Sequence, residues 1–246
     1  MEMARLSVAD GVRVIACTPH IFPGVYSNAG ADIRRRVVQL QAELDATHID
    51  CRLVSGSDAH VTPDFVDGLK SGRILSLADS RYVLVEPPHH ILPPNMDRFF
   101  FELLAAGYVP IVTHPERTSW ADANHDLLRR LVHSGVWMQL TAGSIVGRFG
   151  GQAKSRSERM LREHMVHIVA SDAHDAVNRP PILSEAVSAL RGLVGDVETE
   201  NLVNARPATI LENRAPTAAP PLPPGELDGP KDEEPFFRRV SRYFRV

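Results

Sequence analysis

The chain predicts an α/β fold made of successive βα units around a parallel sheet, and three observations carry that prediction. Short runs of β-branched and apolar residues alternate with longer segments in which apolar residues recur every three to four positions. Hydrophobic residues are 43% of the 246 and charged residues 23%, which is enough apolar side chain to bury a sizeable core and excludes disorder along the whole length. Histidines and carboxylates recur where the strand-like runs stop. The length exceeds a typical domain of about 100–200 residues but is compatible with one barrel-like α/β domain.

Taken in order, residues 5–10 read as the last turns of a helix that runs straight into a strand. Residues 12–18 are rich in β-branched side chains and predict a buried strand that ends at Pro19-His20. A polar, glycine-containing loop leads to a helix over 31–46, where Ile33, Val37, Leu40 and Leu44 share one face. The strand at 52–55 ends at Gly56-Ser57-Asp58, with Gly56 read as the residue that lets the backbone turn tightly. Further strands are expected at 82–86, 109–114, 136–141 and 166–171, and helices at 96–106, 127–134, 156–163 and 182–193. There is no internal repeat.

The last stretch differs. Residues 214–246 hold seven of the nineteen prolines, so a folded domain over 1–213 is expected to give way to an extended, poorly packed linker. The linker ends in Phe236-Phe237-Arg238-Arg239-Val240-Ser241-Arg242-Tyr243-Phe244-Arg245-Val246, where aromatics and arginines interleave. A short amphipathic helix docking on a membrane surface or partner and a frayed basic terminus fit that segment equally well.

Composition narrows the function. With 27 Lys and Arg against 30 Asp and Glu the formal charge is −3, giving no reason to expect a nucleic-acid partner, so any anion site must be local. No signal peptide is visible at Met1-Glu2-Met3-Ala4-Arg5-Leu6, and no apolar run approaches the roughly 18–20 residues of a membrane span. The two cysteines, Cys17 and Cys51, have no metal-binding spacing, which suits a reducing cytoplasm and directs attention to the eleven histidines.

In parallel α/β sheets the carboxyl ends of the strands converge on the ligand site, and His20, Asp58, Glu86, His114 and Asp172 each sit at or just beyond such an end. In Ala170-Ser171-Asp172-Ala173-His174 a carboxylate and an imidazole can face one metal ion, or Asp172 caps a helix beside an exposed His174. In Thr113-His114-Pro115-Glu116-Arg117 a neutral imidazole ligand precedes a planar fork suited to phosphate; a core histidine and a surface arginine are the alternative. Glu86, between an apolar strand and Pro87-Pro88, is costly to bury unless paired or metal-bound, or else it reaches solvent at the rim. Asp58 is either a ligand or an ordinary turn aspartate, and His20 gains weight only from its company. Arg179, before Pro180-Pro181, is a second phosphate clamp or a solvated loop arginine.

As a set, histidines and carboxylates without thiolates suit Mn, Fe or Zn, and two or more such ions clamp the oxygens of a phosphate ester during in-line displacement. Two arginines add positive charge where the phosphoryl group sits. The set reads as a phosphoesterase. Rival signatures are absent: there is no phosphate loop, dinucleotide fingerprint, nucleophile elbow or H-E-x-x-H helix. A C-x-x-x-x-x-R phosphatase loop is excluded because Pro23 and Ser57 stand six positions after the two cysteines.

The combination of Thr18-Pro19-His20, Gly56-Ser57-Asp58, the run from Leu77 to Glu86, His114-Pro115-Glu116-Arg117, Thr141-Ala142-Gly143-Ser144 and Ala170-Ser171-Asp172-Ala173-His174 with Arg179-Pro180-Pro181 resembles a known family. This is the bacterial polymerase-and-histidinol-phosphatase (PHP) type of manganese-dependent protein-tyrosine phosphatases, found in capsule and exopolysaccharide operons. The resemblance covers residues 1–213. It implies a distorted (β/α)7 barrel, up to three metal ions with Mn2+ first and Fe or Zn as alternatives, and a phosphotyrosine protein substrate, typically a partner tyrosine kinase.

By position, Asp58 matches a bridging carboxylate that is usually glutamate, and Glu86 and His114 match ligands of a second ion. His20 and His174 match ligands of a third ion, and Asp172 matches one of the first. Arg117 and Arg179 match the phosphate-binding arginines. The family begins with a His-x-His strand and a later acidic loop, which this sequence lacks, so the barrel is expected to be short of its first strand. Another PHP-type phosphoesterase with a histidinol-phosphate-like substrate, or a catalytically impaired kinase-binding homologue, are the alternative functions.

Overall fold

The structure is a computed structural model that describes residues 1–224. The chain begins with α1 (Glu2–Ala9), β1 (Val14–Cys17), β2 (His20–Ile21), α2 (Gly30–Ala46), β3 (Arg52–Ser55), β4 (Asp58–His60) and α3 (Phe65–Lys70). It continues with β5 (Tyr82–Glu86), α4 (Met96–Ala105), β6 (Val109–Thr113), α5 (His125–His133), β7 (Trp137–Thr141), α6 (Ala142–Ile145), α7 (Gly150–Arg162), β8 (Ile168–Ala170), α8 (Ser184–Glu200) and α9 (Arg206–Leu211).

All strand pairs are parallel, as alternating βα units require. β1 pairs with β3, and a second sheet runs in the order β2-β4-β5-β6-β7-β8. β1 and β2 are two halves of one strand position bent at Thr18-Pro19, and β3 and β4 are halves of the next, bent at Gly56-Ser57. The bent positions stay together through the Gly56 N–H donating to the Cys17 carbonyl at 3.0 Å and the Asp58 N–H to that of Pro19 at 3.3 Å. Gly56 is needed for space rather than for a tight turn. Its φ is not positive, whereas a Cβ there would lie 2.9 Å from Leu77 Cδ2 and 3.0 Å from Thr18 Cγ2.

Period-two alternation explains both the core and the site. Every residue of β5, β6 and β7 is buried. Val83, Val85, Val112, Met138 and Leu140 pack with Phe100, Leu103, Leu128 and Leu131 of the helices. The alternate positions Tyr82, Leu84, Val109, Ile111, Trp137 and Ile168 form a separate cluster with Leu77 and Ile210. Glu86, Thr113 and Thr141 continue that second set at the carboxyl ends, so the sheet face that is apolar at one end becomes polar at the other.

The expected barrel short of a strand matches what is observed. Among the described residues β1 and β8 each keep one unpaired edge, and a cavity of about 1700 Å3 lies between them, lined by Val14, Ala16, Ile168 and Ala170 and reaching Asp58 and Asp172. The helices span the gap that the strands leave. Asp10, which follows α1, accepts the N–H groups of Leu183 and Ser184 at 2.6 and 3.1 Å and so caps α8 from the far end of the chain.

Several elements differ from the sequence expectations. α7 begins at Gly150 rather than at 156, and α8 runs to Glu200 past Gly195 (φ 80°) rather than stopping at 193. The short β2, β4, α3, α6 and α9 have too few residues to show a period. The stretch expected to be poorly packed from 214 is packed as far as Leu222. Tyr82 Oη donates to the Arg214 carbonyl at 3.0 Å, and Leu222 lies against the main core. The basic aromatic segment 236–246 lies outside the described residues. Among the described residues no helix is long and apolar enough to cross a membrane.

Candidate metal centre

The carboxyl ends of the strands bring five histidines and three carboxylates together. Register does much of the work: His20 at the start of β2 stands beside Asp58 of β4, and His60, two residues on and so on the same face as Asp58, stands beside Glu86 of β5. Glu86 is the hub. Its Oε2 lies 2.9 Å from His20 Nδ1 and 2.7 Å from His60 Nε2, while Oε1 lies 3.5 Å from both His89 Nε2 and His114 Nε2. Asp58 sits behind, its Oδ1 accepting from Thr113 Oγ1 at 3.1 Å and its Oδ2 at 3.7 Å from His20 Nδ1 and 3.8 Å from His114 Nε2.

Local sequence explains the placements. Pro87-Pro88 ends β5 directly after Glu86 and turns His89 back over it, so that the His89 and His114 rings lie 5.1 Å apart. The His60 ring stacks flat on Phe22 at 3.9 Å. His114 and Asp172 have left-handed backbones, φ 35° and 48°, which ordinary side chains seldom adopt and which structures retain where a side chain must be aimed. The Gln139 carbonyl accepts the His114 N–H at 2.9 Å. Arg156 of α7 donates to the Thr118 carbonyl at 2.7 Å and holds the loop that follows. In that loop buried Glu116 accepts the Thr141 N–H at 3.0 Å, and burial pushes its carboxyl up to about 7 against the opposing Ser144 contact.

Charge is arranged for ligation. Burial, with Arg117 nearby, holds His114 neutral down to about pH 3, the form in which an imidazole nitrogen ligates. Burial and the neighbouring Glu86 carboxylate raise Asp58 to about 8. Burial alone would raise Glu86, but the close imidazoles of His20, His60 and His89 outweigh it and hold the carboxylate far below its usual range. The same contact raises His20. His20 Nδ1 and Glu86 Oε2, although 2.9 Å apart, do not meet in hydrogen-bond geometry, and they and His114 Nδ1 are buried without a hydrogen bond. Orphaned nitrogen and oxygen atoms beside one another fit a divalent ion with mixed N and O ligands. Among the described residues two groups of three have ligand atoms within 4.8 Å of one another, His20-His60-Glu86 and Glu86-His89-His114.

The remaining expected residues form a second cluster. Asp172 Oδ2 accepts from Arg117 Nη1 and from Arg179 Nη2, each at 2.5 Å, so both guanidinium groups converge on one anionic oxygen. His174 Nδ1 is 3.8 Å from Asp172 Oδ1, and its ring is 5.8 Å from that of His20, which links the two clusters. Among the described residues, neither Asp58, Asp172 nor His174 joins a group of three.

Two residues escaped the sequence reading. His60 had a usable signal, since Asp58-x-His60 on a strand puts both side chains on one face. His89 had a weaker one, three residues past Glu86 across two prolines.

The tyrosine-protein phosphatase YwqE of Bacillus subtilis (strain 168) is 34% identical over 223 residues, 91% of this chain and 87% of the relative. The tyrosine-protein phosphatase CpsB of Streptococcus pneumoniae is 26% identical over 210 residues, covering 83% and 86%. A crystal structure from work on YwqE and CpsB, described as unique metal-dependent tyrosine phosphatases, superposes with a TM-score of 0.83 at 34% identity over 87% of this chain and 86% of the other. Residues 1–212 match the family model for capsular polysaccharide synthesis proteins CpsB/CapC, so by sequence and fold together the chain belongs to the CpsB/CapC family.

Proposed function

We propose that this protein is a metal-dependent phosphatase that removes phosphate from phosphotyrosine in proteins, a bacterial tyrosine kinase being the substrate, and so regulates capsule or exopolysaccharide synthesis in the cytoplasm. The observation that carries the reading is the convergence of Arg117 and Arg179 on a single anionic oxygen beside a buried histidine-carboxylate cluster.

The two guanidinium groups bind and orient the phosphoryl oxygens. Their five-donor forks match that geometry, and their charge stabilises negative charge developing on the phosphoryl group. His20, His60 and Glu86 on one side and Glu86, His89 and His114 on the other would hold ions, with Asp58, Asp172 and His174 available at the margins. Mn2+ is the first choice, with Fe or Zn as alternatives and up to three ions in all. Such ions supply Lewis acidity at the phosphoryl oxygens and make water a nucleophile at neutral pH. A cysteine nucleophile does not fit: burial raises the thiols of both Cys17 and Cys51, which keeps them protonated.

The test compares wild type with Glu86→Gln for bound Mn2+ and for phosphate release from a phosphotyrosine peptide and from histidinol phosphate. Wild type should prefer the peptide, and Glu86→Gln should lose both metal and turnover with an unchanged circular dichroism spectrum. Preference for histidinol phosphate, or full metal retention in the variant, contradicts the proposal.

A further inference from the structure

Two arginines that share one carboxylate oxygen raise a question about the moment a substrate arrives. The Asp172 carboxylate, shared by both, offsets one of the pair's two positive charges. A phosphoryl group that takes over the guanidinium donors must find them still side by side, although like charges repel and long side chains have many rotamers. Something other than the carboxylate has to hold them.

Phe149 is placed to do so. Arg117 Cζ lies 4.4 Å from the centroid of its ring and Arg179 Cζ 5.4 Å, both within range of the negative face of an aromatic quadrupole. Phe149 lies in the short connection between α6 and α7, flanked by Gly147 and Gly150, whose φ values of +87° and +89° set the turn. The ring is seated on Gly143, where a Cβ would meet Phe149 Cε2 at 2.9 Å and Cδ2 at 3.3 Å, and the Arg148 N–H donates to the Gly143 carbonyl at 2.8 Å. Arg148 is tied in turn to Glu185 of α8 at 2.7 Å. The Thr141-Ala142-Gly143-Ser144 segment thereby gains a physical role, because its glycine is the seat that lets an aromatic ring lie beneath both arginines.

We infer that Phe149, seated on Gly143, is a positioning residue that holds the Arg117 and Arg179 guanidinium groups together as one phosphate clamp whether or not Asp172 is engaged with them. The inference rests on the phosphatase reading for its substrate but not for its geometry. It assigns the hold to the π face and not merely to bulk.

The test measures inorganic phosphate binding by calorimetry, and KM and kcat for a phosphotyrosine peptide, on the Mn2+-loaded protein, with metal content recorded for every variant. Phe149→Ala and Phe149→Leu should each weaken phosphate binding and raise KM by about tenfold, the size expected for losing desolvated cation–π contacts, with a smaller change in kcat and no loss of metal. Phe149→Tyr and Phe149→Trp, which keep a π face, should bind phosphate within about threefold of wild type. Gly143→Ala should weaken binding in the wild-type background and add nothing on top of Phe149→Ala.

Leucine performing like phenylalanine would reduce the role to packing and overturn the inference. So would unchanged binding in Phe149→Ala, or a wild type that binds no phosphate. Phosphate binding in the expected rank order by a protein that does not hydrolyse phosphotyrosine would leave the clamp standing and overturn the phosphatase reading instead.

Discussion

Arg117 and Arg179 are fixed by different means and share one target. Arg117 follows the left-handed His114, and Arg179 also donates to the Asp172 main-chain carbonyl at 3.0 Å. Replacing either by lysine keeps a positive charge but removes the fork. Arg117→Lys and Arg179→Lys should each lower kcat/KM on a phosphotyrosine peptide by about 10²-fold, the usual loss of one preorganised donor, with metal content unchanged. Steady-state kinetics and metal analysis together check this. At this scale much of the candidate site was legible, because a strand end followed by a polar residue is visible in sequence: His20, Asp58, Glu86, His114 and Asp172 were singled out that way, and they lie together at the strand ends. What was not legible was the hub role of Glu86. It depends on register, which puts His60 beside it, and on the Pro87-Pro88 turn, which brings His89 over it.

Among the elements, α9 is tied to α8, to the segment 220–221 and to the residue before β8 by one buried cation. Arg206 is fully buried and spends all five donors, on Glu198 Oε1 and Oε2 at 2.7 and 3.1 Å, on the Pro220 and Pro221 carbonyls at 2.9 and 2.8 Å, and on the His167 carbonyl at 3.3 Å. Arg206→Met strands the Glu198 carboxylate and should cost about 3–5 kcal/mol, while Arg206→Met with Glu198→Met should recover part of that, as read by denaturant unfolding. Just before β8, buried His167 accepts the Met138 N–H at 3.1 Å and stacks on Trp137 at 5.0 Å.

Burial, with Arg206 adding to it, lowers His167 from 6.5 to about 3. Between those values the unfolded chain binds a proton that the folded chain refuses, so this group's contribution favours folding above pH 6.5 and is lost as pH falls toward 3. The stability-against-pH curve of His167→Gln should be flatter in that window than that of wild type. Long periodic elements were legible in the sequence; the halves of the bent strands were not, because Pro19 and Gly56 interrupt the apolar runs that identify a strand. The packing of residues 214–222 was also hidden. Prolines there accept from Arg206 with their carbonyls, a use that composition does not reveal.

At the level of the whole molecule, two parallel sheets whose end strands β1 and β8 stand unpaired on either side of the cavity among the described residues are enclosed by helices that do connect, and the connection runs through Asp10. Asp10→Ala should lower unfolding stability by about 0.5–2 kcal/mol, the ordinary value of a helix N-cap, although it lies more than 170 residues from the helix that it caps. A larger loss would show that this one contact also sets how α1 seats over the cavity. The α/β class and parallel topology were legible from alternation alone, whereas a closure made by Asp10 reaching Ser184 is a long-range contact without a local pattern. The modest net charge of −3 also said little, since the chemistry depends on a few charges brought together at one end of the sheet.

The most direct test of the central claim is phosphate release from a phosphotyrosine peptide with Mn2+, after chelation with EDTA, after Mn2+ is restored, and after alkylation of the thiols. The account predicts turnover that EDTA abolishes, that Mn2+ restores, and that alkylating Cys17 and Cys51 leaves unchanged. Turnover that survives EDTA, or that is lost on alkylation alone, would contradict it.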